Sequence, residues 1–134
     1  MIKRSFRRDL ESLNFAFDFL NEFFQEQAVD EKCRFAVQLA VEEVFTNLVK
    51  YNKGLTSEIA LQAELVDQQI IIQIQDAEAK SFDITKPPVV DTQAPLEERR
   101  VGGLGLFLVH QVMDHVDYHY ENNVSTITLI KKIK

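Results

Sequence analysis

The sequence is poor in glycine, cysteine and proline and has no tryptophan. Its one cysteine, Cys33, excludes an internal disulfide framework and any cysteine-based zinc cluster. No apolar run approaches the ~18 residues that a membrane-spanning helix needs. The N-terminus, Met1-Ile-Lys-Arg-Ser-Phe-Arg-Arg8, is basic but lacks the apolar core of a secretory signal, so the expected location is the cytoplasm. Basic charge is also short. Lys and Arg number 15 against 21 Asp and Glu, and the net charge of −6 argues against direct nucleic-acid binding or attachment to an anionic membrane.

What is present suffices for one domain. The chain has 134 residues, 46% hydrophobic and 27% charged, and a chain of this length buries roughly 70% of the surface it exposes when unfolded. Residues 1–134 therefore read as a single domain.

Residues 2 to 8 read as a short edge strand. Asp9 is the expected cap of a helix to about Gln27, with an apolar stripe of Leu10, Leu13, Phe17, Leu20 and Phe24. Phe15, Phe17, Phe19, Phe23 and Phe24 cover more than one face of it, which leaves a surplus for an interface. Asp30 caps a second helix from about Glu31 to Tyr51. Arg34, Gln38 and Glu42 form its expected wet stripe, and Val37, Val41, Val44 and Leu48 its apolar one. Beside the apolar stripe run Ala36, Ala40, Glu43 and Asn47, so two polar residues stand on an inward-looking face. After Gly54, alternating residues from Ile59 to Leu65 and from Ile70 to Asp76 predict a hairpin around Asp67-Gln68-Gln69. Residues 77 to 101 carry all three prolines and weak periodicity. At about 25 residues they exceed the usual loop of a compact domain and suggest a lid. A glycine-rich turn then enters an apolar helix, and two strands follow around Asn122-Asn123, a two-residue hairpin signal. The order β-α-α-β-β-loop-α-β-β predicts an α+β two-layer sandwich, a mixed and mostly antiparallel sheet with helices on one face.

Three places carry chemistry. Three of the four glycines, Gly102, Gly103 and Gly105, fall within four positions before the apolar helix. Glycines at a helix N-terminus let a phosphate approach unpaired backbone N–H groups; they also make a plain tight turn. Glu43 and Asn47 lie one helical turn apart. The amide oxygen is a ligand for a hard cation such as Mg²⁺ and the carboxylate a general base, or the two are a solvated polar pair. Asp76 ends an apolar strand, as an acceptor for an amino group or as a turn residue. His110, His115 and His119 straddle a helix-to-strand break, which argues against a shared metal.

In this order the three places form a constellation. Glu43-x-x-x-Asn47 with Lys50-Tyr51 resembles the N box of the GHKL (Bergerat-fold) ATPase superfamily. Asp76 followed by Phe82-Asp83 resembles a decayed first glycine box. Arg100-Val-Gly-Gly-Leu-Gly-Leu-Phe-Leu-Val109 with Met113-Asp114 is similar to the second glycine box of the anti-sigma-factor serine/threonine kinases of that superfamily. The resemblance covers essentially the whole chain. It implies a kinase that transfers the γ-phosphate of ATP to a serine or threonine of a small antagonist protein, sequesters a sigma factor in stress-response transcription control, and dimerises. It further implies Glu43 as catalytic base, Asn47 as ligand of Mg²⁺, Lys50 toward a phosphate and Asp76 on the adenine amino group. Gly102, Gly103, Leu104, Gly105 and Leu106 would line the phosphates, and residues 84–101 would be the ATP lid. The sequence departs from the pattern at Asp76-Ala-Glu78, with no glycine before Phe82; Ala79 takes the glycine position if the loop bulges. The resemblance further implies a strand hydroxyl near adenine, from Ser125 or Thr126, with Thr126 the expected one. The degenerate box also keeps a second reading open, a non-catalytic regulatory binding module of the same fold, ATP-sensing or nucleotide-free.

Overall fold

The computed structural model describes residues 1–51, 57–77 and 101–133; for residues 51 and 101–106 the description is of backbone alone. The elements are β1 (Ile2–Phe6), α1 (Ser12–Glu26), α2 (Glu31–Tyr51), β2 (Ile59–Val66), β3 (Gln69–Ala77), α3 (Val101–Val112), β4 (His115–Glu121) and β5 (Val124–Lys132). This is the expected order. Gly54, Ala79, Phe82 and lid residues 84–100 lie outside the described residues.

The strands form one sheet in the order β1-β2-β3-β5-β4. Every pairing is antiparallel. β3 and β4 point the same way, but β5 lies between them, so the described strands contain no parallel pair. Two-residue turns close both hairpins. Asp67 and Gln68 have φ of 51° and 63°, and Asn122 and Asn123 have 54° and 65°. Two successive left-handed residues match the twist of the flanking strands. Gln69, expected in the turn, instead opens β3 opposite Val66.

One face of the sheet is dry. Leu61, Ile74 and Ile127 stand side by side across β2, β3 and β5, and Ala63, Ile72 and Leu129 form the next row. All six are buried. The helices cover this face, with α2 against β5 and α3, and α1 against β1, β2 and α2. From α2, Val37, Val41, Val44, Phe45 and Leu48 enter the core, joined by Val109 of α3 and by Met113 just beyond its end. None of the described helices is long and apolar enough to cross a membrane.

Two expectations about helix faces change. The buried face of α1 is Ser12, Ala16, Phe19, Leu20, Phe23 and Phe24, whereas Leu10 and Phe15 are exposed. The stripe is rotated because Phe19 must meet Phe6 of β1, edge to face at 5.9 Å. The expected wet stripe of α2 is half-buried against α1: Arg34 lies over the Phe24 ring, and Gln38 Nε2 donates to Asn21 Oδ1 at 2.8 Å.

The Asp30 cap forms as the sequence predicts, its Oδ1 accepting from the Cys33 N–H at 2.8 Å. Asp9 Oδ1 accepts from the Ser12 N–H at 2.8 Å, but from the turn ahead of α1; the residue at the helix cap is Glu11, which makes no side-chain cap bond. The Cys33 backbone bond leads the causes that hold the Asp30 carboxyl below its ordinary 3.8. A lowered carboxyl contributes stability above its unfolded value and loses it as pH falls through the folded one. Asp30→Ala is therefore expected to lower Tm by about 4 °C at neutral pH, and the gap to wild type should narrow in thermal melts taken at pH values progressively below the ordinary 3.8.

Candidate functional site

The Glu43–Asn47 pair occupies the same face of α2 as buried Ala36 and Ala40. Asn47 is 3% exposed, and Glu43 is half-buried. Asn47 Nδ2 donates to the Glu43 carbonyl at 2.7 Å. A carbonyl only accepts, so this bond fixes the orientation of the amide and turns Oδ1 away from the helix backbone. Asn47 Oδ1 is buried and has no partner among the described residues. A buried acceptor without a partner carries a desolvation cost of about 1–3 kcal/mol. An unfilled oxygen acceptor beside a carboxylate is the donor chemistry that a hard divalent cation takes, so the residues present fit Mg²⁺.

Glu43 has its carboxyl pushed above its ordinary 4.5. Burial is the first cause and the neighbouring Glu42 charge the second, with the Lys50 charge opposing both. Lys50 is half-buried in the last turn of α2, near enough for its charge to act on Glu43.

α2 packs against α3. The helix α3 begins at Val101, so Gly102, Leu104, Gly105 and Leu106 lie within its first turns together with Gly103, not in a turn ahead of it. Each glycine costs a helix interior ~1 kcal/mol relative to alanine, so their presence there is not explained by helix propensity.

The third place differs most from expectation. Asp76 is fully buried near the end of β3, in register with Ile59 on one side and Ser125 on the other. Both of its carboxylate oxygens accept from Arg8. Nη1 donates to Oδ2 at 2.9 Å, and Nη2 donates to Oδ1. The Arg8 side chain is 4% exposed. Its remaining contacts tie three segments together: Nη2 to Ser57 Oγ at 2.9 Å, Nη2 to the Ala77 carbonyl at 3.4 Å, and Nη1 to the Leu48 carbonyl of α2 at 3.5 Å. Arg8 Nε is buried with no partner among the described residues. The carboxylate expected to meet an adenine amino group is thus already held by a bidentate guanidinium. Breaking a buried pair by removing one partner costs about 3–5 kcal/mol, whereas one hydrogen bond to a charged group returns about 1.5–3 kcal/mol.

Sequence reading missed Arg8, although a signal existed. Ile2, Arg4, Phe6 and Arg8 share the parity of β1. Phe6 is buried, and the Arg4 guanidinium lies 5.5 Å from the Phe19 ring centre, so that parity faces the helices. Thr126 is corrected for the same kind of reason. It pairs with Gln75 in a strand whose alternate residues, Ser125 and Ile127, are the buried ones, so Thr126 stands on the open face. Ser125 is the inward hydroxyl beside Asp76, 3.4 Å from the Tyr118 hydroxyl. His115 and His119 pair with Asp117 and Glu121 on the open face of β4. Among the described residues no group of three or more ligand-type side chains is placed to hold a metal. Cys33 is buried, and burial pushes its thiol up.

Residues 6–131 match the histidine kinase-like ATPase domain family, and the chain belongs to it. Over 104 residues it is 39% identical to the serine-protein kinase RsbW of Staphylococcus epidermidis, an alignment that covers 72% of this chain and 64% of that protein. Over 110 residues it is 31% identical to the serine-protein kinase RsbW of Listeria monocytogenes, covering 78% of this chain and 66% of that one. The chain thus spans just under two thirds of the length of these curated relatives. A crystal structure of the RsbU and RsbW domains of a Mycobacterium tuberculosis protein superposes with a TM-score of 0.72 at 13% identity, covering 98% of this chain and 32% of that one. At that identity the likeness is one of fold.

Proposed function

We propose that this chain binds ATP with Mg²⁺ and transfers the γ-phosphate to a serine or threonine hydroxyl of a small antagonist protein, as part of a partner-switching regulator that also holds a sigma factor. The observation that carries the reading is the Glu43–Asn47 pair: a half-buried carboxylate one turn from a buried amide oxygen that no described residue fills. The relatives' name, serine-protein kinase, supports the same reaction class, and the resemblance supplies the antagonist, the sigma factor and a homodimer.

Asn47 Oδ1 would hold Mg²⁺, which when bound neutralises phosphate charge. Glu43 takes the proton of the attacking hydroxyl. Its raised pKa makes it a stronger base than an exposed carboxylate. Lys50 would reach toward a phosphate, and the unpaired backbone N–H groups in the first turn of α3, those of Gly102 and Gly103, would donate to the phosphates, with Leu104, Gly105 and Leu106 following inside the helix. Phosphoryl transfer asks mainly for positioning and charge neutralisation, and these residues supply both.

The Asn47→Ala variant tests the metal role. Its affinity for ATP is expected to fall at least about tenfold in the presence of Mg²⁺ and to lose its response to the metal. Calorimetric titrations with and without Mg²⁺ measure both. An unchanged Mg²⁺ response would remove Asn47 from the site. The Arg8–Asp76 pair favours one second reading, a regulatory binding module of the same fold that does not turn over nucleotide.

A further inference from the structure

Net stability does not account for the buried Arg8–Asp76 pair. Removing one partner of such a pair is costly, but replacing both by apolar side chains of similar volume is often neutral or stabilising. The geometry is that of a holder. Arg8 Nη1 donates to Asp76 Oδ2 at 2.9 Å and Nη2 donates to Oδ1, so the planar fork fixes the plane of the carboxylate. The guanidinium is held in turn from outside the pair. Nη2 donates to Ser57 Oγ ahead of β2 at 2.9 Å and to the Ala77 carbonyl at 3.4 Å, and Nη1 donates to the Leu48 carbonyl of α2 at 3.5 Å. The Ser57 hydroxyl itself donates to the Ala77 carbonyl at 2.7 Å, which closes a ring of bonds at the end of β3. Leu48 directly follows Asn47 in the chain, so the same guanidinium also touches the turn of α2 that carries the proposed metal ligand.

An ionised carboxylate has about four acceptor positions and no donor. The fork uses one position on each oxygen, so each oxygen can accept again. We infer that Arg8 is a positioning residue for base recognition: it holds the Asp76 carboxylate in a fixed plane and acceptor-only, so that Asp76 selects a base that presents an amino group over one that presents a carbonyl. The inference rests on the nucleotide-site reading of Glu43, Asn47 and Asp76 and adds Arg8 to it. Arg8 matters because Asp76 is fully buried. A buried carboxylate deprived of its cation neutralises by taking a proton. The resulting carboxyl both donates and accepts, and would satisfy an amino group or a carbonyl alike. The contribution of Arg8 to selectivity is thus separate from its contribution to the fold.

The test titrates ATP and inosine triphosphate calorimetrically into the full chain with Mg²⁺. Inosine triphosphate carries a carbonyl where adenine carries its amino group. The wild-type chain is expected to bind ATP at least about 100-fold more tightly, since a site built to hydrogen-bond a substrate N–H rejects an analogue lacking it by up to about 10⁴–10⁵-fold. A smaller wild-type preference overturns the inference and leaves the nucleotide site standing. No heat from either nucleotide at millimolar concentration overturns the nucleotide site and the inference with it. In Arg8→Met the preference for ATP should shrink by at least about tenfold. A merely structural role would weaken both nucleotides together, so a folded Arg8→Met protein with an unchanged preference overturns the inference. Arg8→Lys is the milder change, keeping a cation without the fork, and should shrink the preference by at least about tenfold as well. If Arg8→Met does not fold, an unchanged preference in Arg8→Lys overturns the inference in its place.

Discussion

Replacing Glu43 by Gln is expected to lower phosphoryl transfer by about 10²–10⁴-fold while leaving the ATP dissociation constant within about threefold of wild type. Gln keeps the shape and the hydrogen-bonding ability of the side chain and removes only its capacity to take a proton, and general-base catalysis contributes about that factor. The loss cannot be traced to unfolding. A carboxyl whose folded pKa is raised contributes stability below its unfolded value and loses it as pH rises through the folded one. Ionised Glu43 is therefore a cost at neutral pH, and the E43Q protein should melt at the same temperature as wild type or above it. The acid limb of the wild-type rate should lie above pH 4.5, because burial first and the Glu42 charge second both hold the proton on. Transfer of labelled γ-phosphate to the protein substrate, measured across pH, checks both. A variant that retained more than a tenth of the wild-type rate would end the assignment of Glu43 as base.

Asp76→Ala is expected to destabilise the fold by about 3–5 kcal/mol, because it leaves the Arg8 guanidinium buried without its carboxylate. For a protein of marginal stability that is a large share of the total, and denaturant unfolding should show a correspondingly lower midpoint. The contrast is the Arg4–Glu22 pair, 3.8 Å apart with both side chains more than half exposed. Solvent screens such a pair, and Glu22→Ala should leave the midpoint within error. Equal effects from the two substitutions would mean that the Arg8–Asp76 pair holds nothing together.

Much of this was legible in the chain because it was local. Glu43 and Asn47 share a face by the pitch of a helix alone, and Asn122-Asn123 announced a hairpin through the left-handed dihedrals that Asn accepts. The Asp30 cap needed only three residues of context. Arg8 did not stand out from Arg4 and Arg7 in the same basic run, and its partner lies 68 positions away, so no local pattern joined them. Ser125 and Thr126 differ by one step in a strand, and only the pairing of β5 with Asp76 on β3 decides which faces inward. The buried face of α1 was set by Phe6 on a strand that sequence periodicity could not align with it. Long-range partners thus account for what the local patterns left open.

The most direct test of a nucleotide site is a calorimetric titration of the wild-type chain with ATP, with and without Mg²⁺. Saturable binding that strengthens when Mg²⁺ is added is the expected result. No heat up to millimolar ATP in either condition would contradict it, and the chain would then be a nucleotide-free binding module built on an ATPase fold.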